Sequence, residues 1–400
     1  MTRPVDVSVI VVSHRPGSWL APCLESVGAH DVILVDNGSP DQTASAIARS
    51  CGARVVRLSR NAGFPAGVNA GLALADRELV ALLNDDAVAE PGWIESALPV
   101  LADPSVASVA PKLLLHPTFA RIEPAASPDR PADEPGMVIR SVTVAGREVL
   151  EAVVGGIGPI EQGPSGERCR RIRGVDPFHV PLPDGVDLDG VRVNGMPLAE
   201  FAAEGTVTVG DVINNAGSYL SRRGYGGDYG YETADVGQFD QPAERFGSSG
   251  AALVARRDTF RRVGPLAGGF FAYYEDLDWN WRARLCGFGH RVEPSGVVRH
   301  VRSATSAATD RYLVDLLGER NRLLCLARNA PIKAAVEETR LALRNPSHPA
   351  TPRSWMAHVG PEVLSRLRWS RSWKRSPDEV WREWAGRDES WGLSSQGPQA

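Results

Sequence analysis

The chain has 400 residues, 43% hydrophobic and 23% charged, with 40 Gly, 30 Pro and a net charge of −4. These values exclude a low-complexity or collagen-like chain and give no whole-surface attraction for nucleic acid. The length predicts two to three domains with a sizeable core, and five Cys without a C-x-x-C pair argue for a reducing compartment rather than a disulfide scaffold.

Residues 7–13 (VSVIVVS) form a nearly continuous β-branched run, which predicts a strand buried on both faces. A helix follows around 17–28, then the strand VILVD at 32–36. A second helix starts in Ser39-Pro40-Asp41 and reaches about Cys51, before the strand ARVVRL at 53–58. The next helix covers about 66–76 and the next strand 78–84, after which Pro91 takes a first-turn position in a helix reaching about Ala102. This alternation predicts a parallel βαβ sheet over 1–115.

From 116 to 212 the helical periodicity disappears. Pro and Gly divide the segment into Val-rich pieces, VIRSVTVAGREVL (138–150) and VDLDGVRVNGMPL (186–198), which alternate like small hairpins and predict a β-rich insertion. The α/β character returns within 213–330, with GAALVARRD at 250–258, a helix at about 275–286, strands around 290–293 and 297–301, and a helix at about 310–328. Residues 331–400 read as a helical, basic C-terminal region interrupted by Pro346, Pro349, Pro352 and Pro361.

Within that region, 353–375 carries Arg353, Arg366, Arg368, Arg371, Lys374 and Arg375 against the single acid Glu362, together with Trp355, Trp369 and Trp373. The composition fits a solvated helix face or contact with an anionic membrane surface. The N-terminus enters a strand without a leader pattern, and no apolar run approaches the roughly 18 residues of a spanning helix. The expected location is the cytoplasm, with peripheral attachment at the inner face of the cell membrane as the role open to 353–375.

Lysine is scarce. Lys112, Lys333 and Lys374 are the three in the sequence and none follows Gly, which excludes a P-loop. G-x-G-x-x-G, G-x-S-x-G and H-E-x-x-H are absent as well, removing the usual signatures of dinucleotide oxidoreductases, α/β-hydrolases and zincins.

Ligands of an open parallel sheet sit beyond the carboxyl ends of its strands. Polar residues concentrate at those ends: Ser13-His14-Arg15, Asp36-Asn37-Gly38-Ser39, Arg60-Asn61-Ala62-Gly63-Phe64 and Asn84-Asp85-Asp86. A lone acid such as Asp36 suits a helix cap as well as a ligand. Adjacent Asp85 and Asp86 repel unless a cation or partner compensates them, and oxygen donors of this kind suit Mg2+ or Mn2+ bridged to phosphates. Gly63, Gly67 and Gly71 recur every four residues as a helix begins, which points to close helix–sheet packing or to bare backbone against a nucleotide.

A second acidic group lies downstream, where Glu275, Asp276 and Asp278 follow Phe270, Phe271, Tyr273 and Tyr274. Acids favour a helix start, and a carboxylate among apolar rings also has the raised pKa that suits a general base. His300 follows the strand GVVRH, at a position suited to a metal ligand.

Taken in order, VSVIVVSHR, VILVDNGSPDQT, RNAGFPAGVNAGL, LVALLNDDA, FFAYYEDLDWNWRARLCGFG, VVRHVRSAT and ERNRLLCLARNAP resemble the family 2 glycosyltransferases. More narrowly, with NNAGSYL…DVGQFD, they resemble the bacterial rhamnosyltransferase-like branch. The resemblance covers 1–115 and 213–330. It implies a GT-A fold, Rossmann-like with a mostly parallel central sheet, in which 1–115 is the nucleotide-sugar-binding half and 213–330 the acceptor and catalytic half.

It also implies inverting, single-displacement transfer from a nucleoside diphosphate sugar, dTDP-rhamnose by the branch, to a glycan or polyprenyl- or other lipid-linked acceptor in cell-wall or polysaccharide synthesis. Position by position, Asp36 would meet the base or ribose, and Ser13, Asn61, Gly63 and Asn69 would line the nucleotide side. Asn84-Asp85-Asp86 would be the D-x-D-like element, with Asn84 at its first position, Asp85 near the ribose or sugar, and Asp86 on the divalent metal. His300 would complete the metal site, Asp276 would be the base, and Glu275 and Asp278 would bind or position the acceptor.

Two other classes share related scaffolds. A non-catalytic sugar-nucleotide- or glycan-binding protein would lack the acids that are present here. A nucleotidyltransferase would carry a Gly-rich, basic loop after the first strand, where this sequence has Ser13-His14-Arg15-Pro16.

Overall fold

A computed structural model describes residues 6–124, 137–163, 165–172, 176–202, 205–301, 311–345 and 352–387. It divides into two compact units, one built from Met1–Leu113, Asn215–Tyr229 and Phe239–Glu389, the other from Leu114–Asn214 and Gly230–Gln238.

The first unit opens with β1 (Val7–Ser13), α1 (Leu20–Ser26), β2 (Asp31–Asp36), α2 (Thr43–Ser50), β3 (Arg54–Arg57), α3 (Phe64–Leu74) and β4 (Leu79–Asn84). Every residue of β1 is buried, because it is flanked in parallel by β2 and β4 and covered on both faces. One face packs Val9, Val11, Leu34 and Leu83 against Leu20 and Leu24 of α1, and the other packs Ile10, Val12, Ile33 and Val35 against Val68 of α3. The register sets Ser13 opposite Asp36 and Val12 opposite Asn84, so the polar strand ends lie along one sheet edge.

A short strand, β5 (Ala87–Ala89), then leads into α4 (Trp93–Leu101) and β6 (Val106–Leu115). Nothing in the sequence had announced β5. The spacing of Gly67 and Gly71 is explained by packing: a Cβ on Gly67 would come within 2.5 Å of Val12 Cγ1, and one on Gly71 within 2.4 Å of Ile10 Cγ2. Bare backbone lets α3 lie directly on β1.

The second unit is antiparallel. Its β7 (Thr118–Glu123) lies between β8 (Phe178–Leu182) and β9 (Thr206–Gly210). Beside them, Val142–Val144 turns into Arg147–Glu148 through Ala145-Gly146, and Val191–Val193 into Met196–Pro197 through Asn194-Gly195. All four turn residues have positive φ, the geometry of tight two-residue hairpin loops. Ile139, Val142, Phe178, Val180, Val191 and Val193 form the core of this unit.

The first unit resumes with β10 (Ser218–Leu220), β11 (Gly226–Asp228), β12 (Ala243–Arg245), β13 (Ala252–Arg256), α5 (Arg257–Val263), α6 (Glu275–Leu285) and β14 (Gly289–His300). The main sheet runs in the order β12-β14-β6-β13-β4-β1-β2-β3, with β5 on β14. β3, β2, β1 and β4 pair in parallel, whereas β13 runs antiparallel between β4 and β6. β14 is continuous, where the sequence had suggested two strands, and it sets His300 opposite Ala87 of β5.

Helices α7 (Arg311–Asn329), α8 (Ile332–Arg344), α9 (Pro352–Trp369) and α10 (Pro377–Trp384) follow. A buried ionic network ties them to α6. Asp278, with no exposed surface, pairs with Arg282 at 2.9 Å and with Arg328 of α7 at 2.6 Å, and accepts from Asn329 Nδ2 at 2.8 Å. Arg328 continues the network to Glu362 of α9.

Candidate active site

The polar edge of the sheet is built around two buried residues, Asp36 and Asn37. Asp36 Oδ1 accepts from the Ser39 N–H at 2.9 Å, Oδ2 accepts from Ser45 Oγ at 2.9 Å, and Arg57 stands 3.7 Å away. Both oxygens therefore tie the end of β2 to the turn before α2 and to the first turn of that helix. Asn37 holds the next loop: its Oδ1 accepts from Ala62 N–H, and its Nδ2 donates to Asn61 Oδ1 and to the Gly63 carbonyl. Asn61 Oδ1 also accepts from Gly63 N–H.

Two residues expected on the nucleotide side also make close contacts within the protein. Gly63 has φ +86, and a Cβ there would come within 2.3 Å of the Phe271 carbonyl oxygen, so its bare face is filled by the Phe271 backbone. Asn69 exchanges two hydrogen bonds with the Leu266 backbone, which fastens α3 to the loop after α5. Both residues lock the donor side to the downstream loop.

At the end of β4 the Asn84 amide meets His300 Nε2 at 3.4 Å, and His300 Nε2 lies 3.1 Å from Asp86 Oδ1. Adjacent ligands of an octahedral ion at about 2.1 Å sit about 3 Å apart, so this carboxylate–imidazole pair fits one edge of a Mg2+ or Mn2+ site. Among the described residues no third His, Cys, Asp or Glu joins them, which leaves the other positions to water and phosphate oxygens, as is usual for Mg2+. Beside them burial pushes the Asp85 carboxyl up to about 6, against the pull of the Ser13 hydroxyl.

The second acidic element is set by strained backbone. Phe271, Tyr273 and Tyr274 all have φ between 67 and 70, a conformation that costs bulky residues of order 1–3 kcal/mol each. Asn321 of α7 compensates: its buried Nδ2 lies 2.9 Å from the Phe270 carbonyl oxygen, 2.7 Å from that of Ala272 and 2.8 Å from that of Tyr273. On the other side the Phe64 N–H donates to the Phe271 carbonyl at 2.8 Å. Asn321→Ala is expected to destabilise the protein by about 2–4 kcal/mol, since a hydrogen bond contributes about 0.5–1.5 kcal/mol net. A lower urea midpoint would register this, and an unchanged midpoint would show that the loop holds without Asn321.

That loop delivers Glu275 and Asp276 to a cavity of about 280 Å³, lined also by Ser218, Asp228, Ser249 and Tyr273. Asp276 is tightly aimed: Oδ2 accepts from Gly250 N–H at 2.9 Å and Oδ1 from Leu277 N–H at 2.7 Å. Burial raises its pKa, opposed by those two N–H groups. Glu275 is pushed up to about 8 by burial and by the neighbouring Asp276 charge, and its Oε2 has no hydrogen-bond partner among the described residues. Asp278 does not reach the cavity. It faces the opposite side of α6, in the ionic network, and the acceptor contact expected of it is corrected to a packing role.

With this geometry in place, relatives can be compared. Residues 8–122 match the family model for glycosyl transferase family 2. The likeness to that family model is confined to residues 8–122. The pre-mycofactocin glycosyltransferases of two Mycobacterium tuberculosis strains are 33% identical over 111 residues, 27% of this chain and 24% of each relative. The chain thus spans about a quarter of the length of the curated relatives it matches. In structure it resembles GalNAc-T7, crystallised with UDP, GalNAc and Mn2+, at a TM-score of 0.54 and 12% identity, over 96% of this chain and 57% of that one. The fold is GT-A.

Three residues that shape the candidate site had no individual role assigned from the sequence. Asn37 and Asn321 act through backbone carbonyls and N–H groups, and Asp228 sits 48 residues before Asp276 in the sequence while lining the same cavity. Asn37 stood among the polar strand ends, whereas Asn321 and Asp228 were signalled only by membership in ERNRLLCLARNAP and in the stretch that follows NNAGSYL.

Proposed function

We propose that this protein is an inverting glycosyltransferase that moves a sugar from a nucleoside diphosphate sugar to a hydroxyl of a glycan or lipid-linked acceptor by single displacement. The observation that carries the reading is Asp276, held by two backbone N–H groups on the wall of a cavity in a GT-A fold. A carboxylate so fixed can take the acceptor proton as the new bond forms. Glu275, protonated at neutral pH, keeps a second negative charge from forming beside it. A divalent metal, Mg2+ or Mn2+, held by Asp86 and His300, would offset the charge that develops on the diphosphate leaving group.

The branch resemblance makes dTDP-rhamnose the first donor to try. A thermal-shift screen of dTDP-, UDP- and GDP-sugars with and without Mn2+ tests donor and metal together, and no stabilisation by any of them would overturn the reading. Asp86→Ala is expected to remove the metal-dependent part of nucleotide binding. Calorimetry with unchanged affinity in Mn2+ would rule out Asp86 as the ligand.

A peripheral contact with anionic membrane through 353–375 belongs to the same reading, with its residues reassigned. Trp369 packs against Gly264, Trp355 and Trp373 join the core, and Arg366 donates to the Ala327 and Ala330 carbonyls. The outward surface is instead Val363, Leu364 and Leu367 with Arg368 and Arg371; the Arg353 side chain lies outside the described residues. No helix among the described residues is long and apolar enough to cross a membrane. Leu364, 67% exposed, and Leu367, 61% exposed, are expected to enter the headgroup region, so the Leu364→Glu, Leu367→Glu double variant should lose tenfold or more of its flotation with phosphatidylglycerol vesicles. Equal flotation of the variant would remove this contact.

A further inference from the structure

We infer that Asp228 is an acceptor-binding residue, and that the cavity it shares with Asp276 takes the polyhydroxylated, non-anionic end of a sugar. The inference rests on the glycosyltransferase reading and names the acceptor class for that site. Asp228 ends β11, which pairs antiparallel with β10, so that Ser218 lies opposite Asp228. Asn215 Nδ2 donates to Asp228 Oδ1 at 2.5 Å and Ser218 Oγ donates to the same oxygen at 3.3 Å. Both bonds land on Oδ1, which leaves Oδ2 to the cavity that Asp228 lines.

The approach depends on glycine. A Cβ on Gly227 would come within 2.1 Å of the Tyr219 ring, and one on Gly226 would come within 3.0 Å of Leu277 Cδ2, in α6 directly after Asp276. Only a strand without side chains at 226 and 227 brings Asp228 against the start of α6. Burial, and after it the Asp276 charge, push Asp228 up to about 6.

The lining has three carboxyl groups, Asp228, Glu275 and Asp276, and no Lys, Arg or His. A phosphate or uronate on the acceptor would meet these acids without a compensating cation, so anionic ends are disfavoured. Among the described residues no three His, Cys, Asp or Glu side chains converge on one metal position. A second observation points the same way: Glu275 is 8% exposed and its Oε2 is buried without a partner, a group that a bound hydroxyl would satisfy. Asp228 Oδ2 accepts from one sugar hydroxyl, Glu275 exchanges a hydrogen bond with another, and Asp276 faces the hydroxyl that reacts.

The test is saturation-transfer difference NMR on the full chain with Mg2+ and the nucleotide that stabilises it most. The probes are the methyl glycosides of galactose, mannose and rhamnose, and methyl glucuronide. At least one neutral glycoside should give saturation, and its dissociation constant should rise about tenfold or more in Asp228→Ala, with a smaller rise in Asp228→Asn, because a hydrogen bond to a charged group is lost. Nucleotide affinity of both variants, read by calorimetry, should be unchanged.

The inference falls if no neutral glycoside binds, if the glucuronide binds as tightly, or if Asp228→Ala leaves glycoside affinity intact. It falls also if both Asp228 variants lose nucleotide and glycoside together, since that marks a structural role. Failure of the wild-type chain to bind any nucleotide, with glycoside binding in the same tubes without it, would instead overturn the glycosyltransferase reading alone.

Discussion

Asp276→Asn is expected to lower sugar transfer by about 10²–10⁴-fold while nucleotide-sugar binding persists, the range set by loss of a general base. The size follows from how the carboxylate is held. Gly250 N–H and Leu277 N–H fix one oxygen each, so the group needs no reorganisation to face an acceptor hydroxyl. An amide offers one acceptor oxygen, so the variant forfeits one of those two bonds as well as the basic site. Initial rates measured by nucleotide release, beside calorimetry for the donor, separate loss of chemistry from loss of binding. Near-normal turnover in the purified variant would rule out Asp276 as the base.

The same residue sets the acid limb of the pH profile. Its pKa is raised by burial, and the base works only when ionised. Transfer should therefore fall as pH drops through a value above the ordinary Asp range, and the residual rate of Asp276→Asn should lack that limb. Glu275 adds an alkaline feature. Pushed up to about 8, it stays neutral near pH 7 and ionises beside Asp276 as the pH rises past that value. Glu275→Gln should remove the alkaline change and leave the acid limb in place.

Asp278→Ala is expected to act on the fold instead. Removing one member of a buried ion pair costs about 3–5 kcal/mol, because the remaining charge is left uncompensated in the interior. Here two cations lose their partner: Arg282 and Arg328 both close on Asp278, and Asn329 donates to it. Burial alone would push this carboxyl up, but the two guanidinium groups hold it below its ordinary value. The depressed pKa means that its contribution is present above the unfolded Asp value of about 3.9 and is lost as pH falls through the lower, folded one. A large drop in urea midpoint at neutral pH, with an unchanged slope, is the expected result. A wild-type midpoint with a changed acceptor KM would return Asp278 to the acceptor site.

Asp276 and Asp278 are two residues apart, on one short acidic motif, and nothing in their local pattern separates a base from a core ion. The difference arises because α6 turns about 100° per residue, so residues two apart point to different sides. One side meets the cavity and the other meets α7. Gly63 and Asn69 teach the same point on the donor side: Gly63 closes on the Phe271 backbone and Asn69 on that of Leu266, contacts that no local pattern displays.

The segment 353–375 shows it a third time. Tryptophans that read as interfacial anchors pack inward, and ordinary leucines at 364 and 367 face out.

What the sequence determined by itself was the α/β alternation of the N-terminal half, the strand ends that carry polar residues, and the two acidic groups with His300 behind them. These are local or short-range patterns, and hydrophobic periodicity and composition express them directly. Tertiary structure alone decided which acids meet. The antiparallel insertion of β13 between β4 and β6 brought Gly250 N–H to Asp276, and the pairing of β14 with β5 brought His300 to Asp86 across 214 residues. The close approach of a glycine strand carried Asp228 to the start of α6. Contacts of that range depend on the sheet order and on which side chains are small enough to let backbones touch, and neither has a period that a single sequence can display.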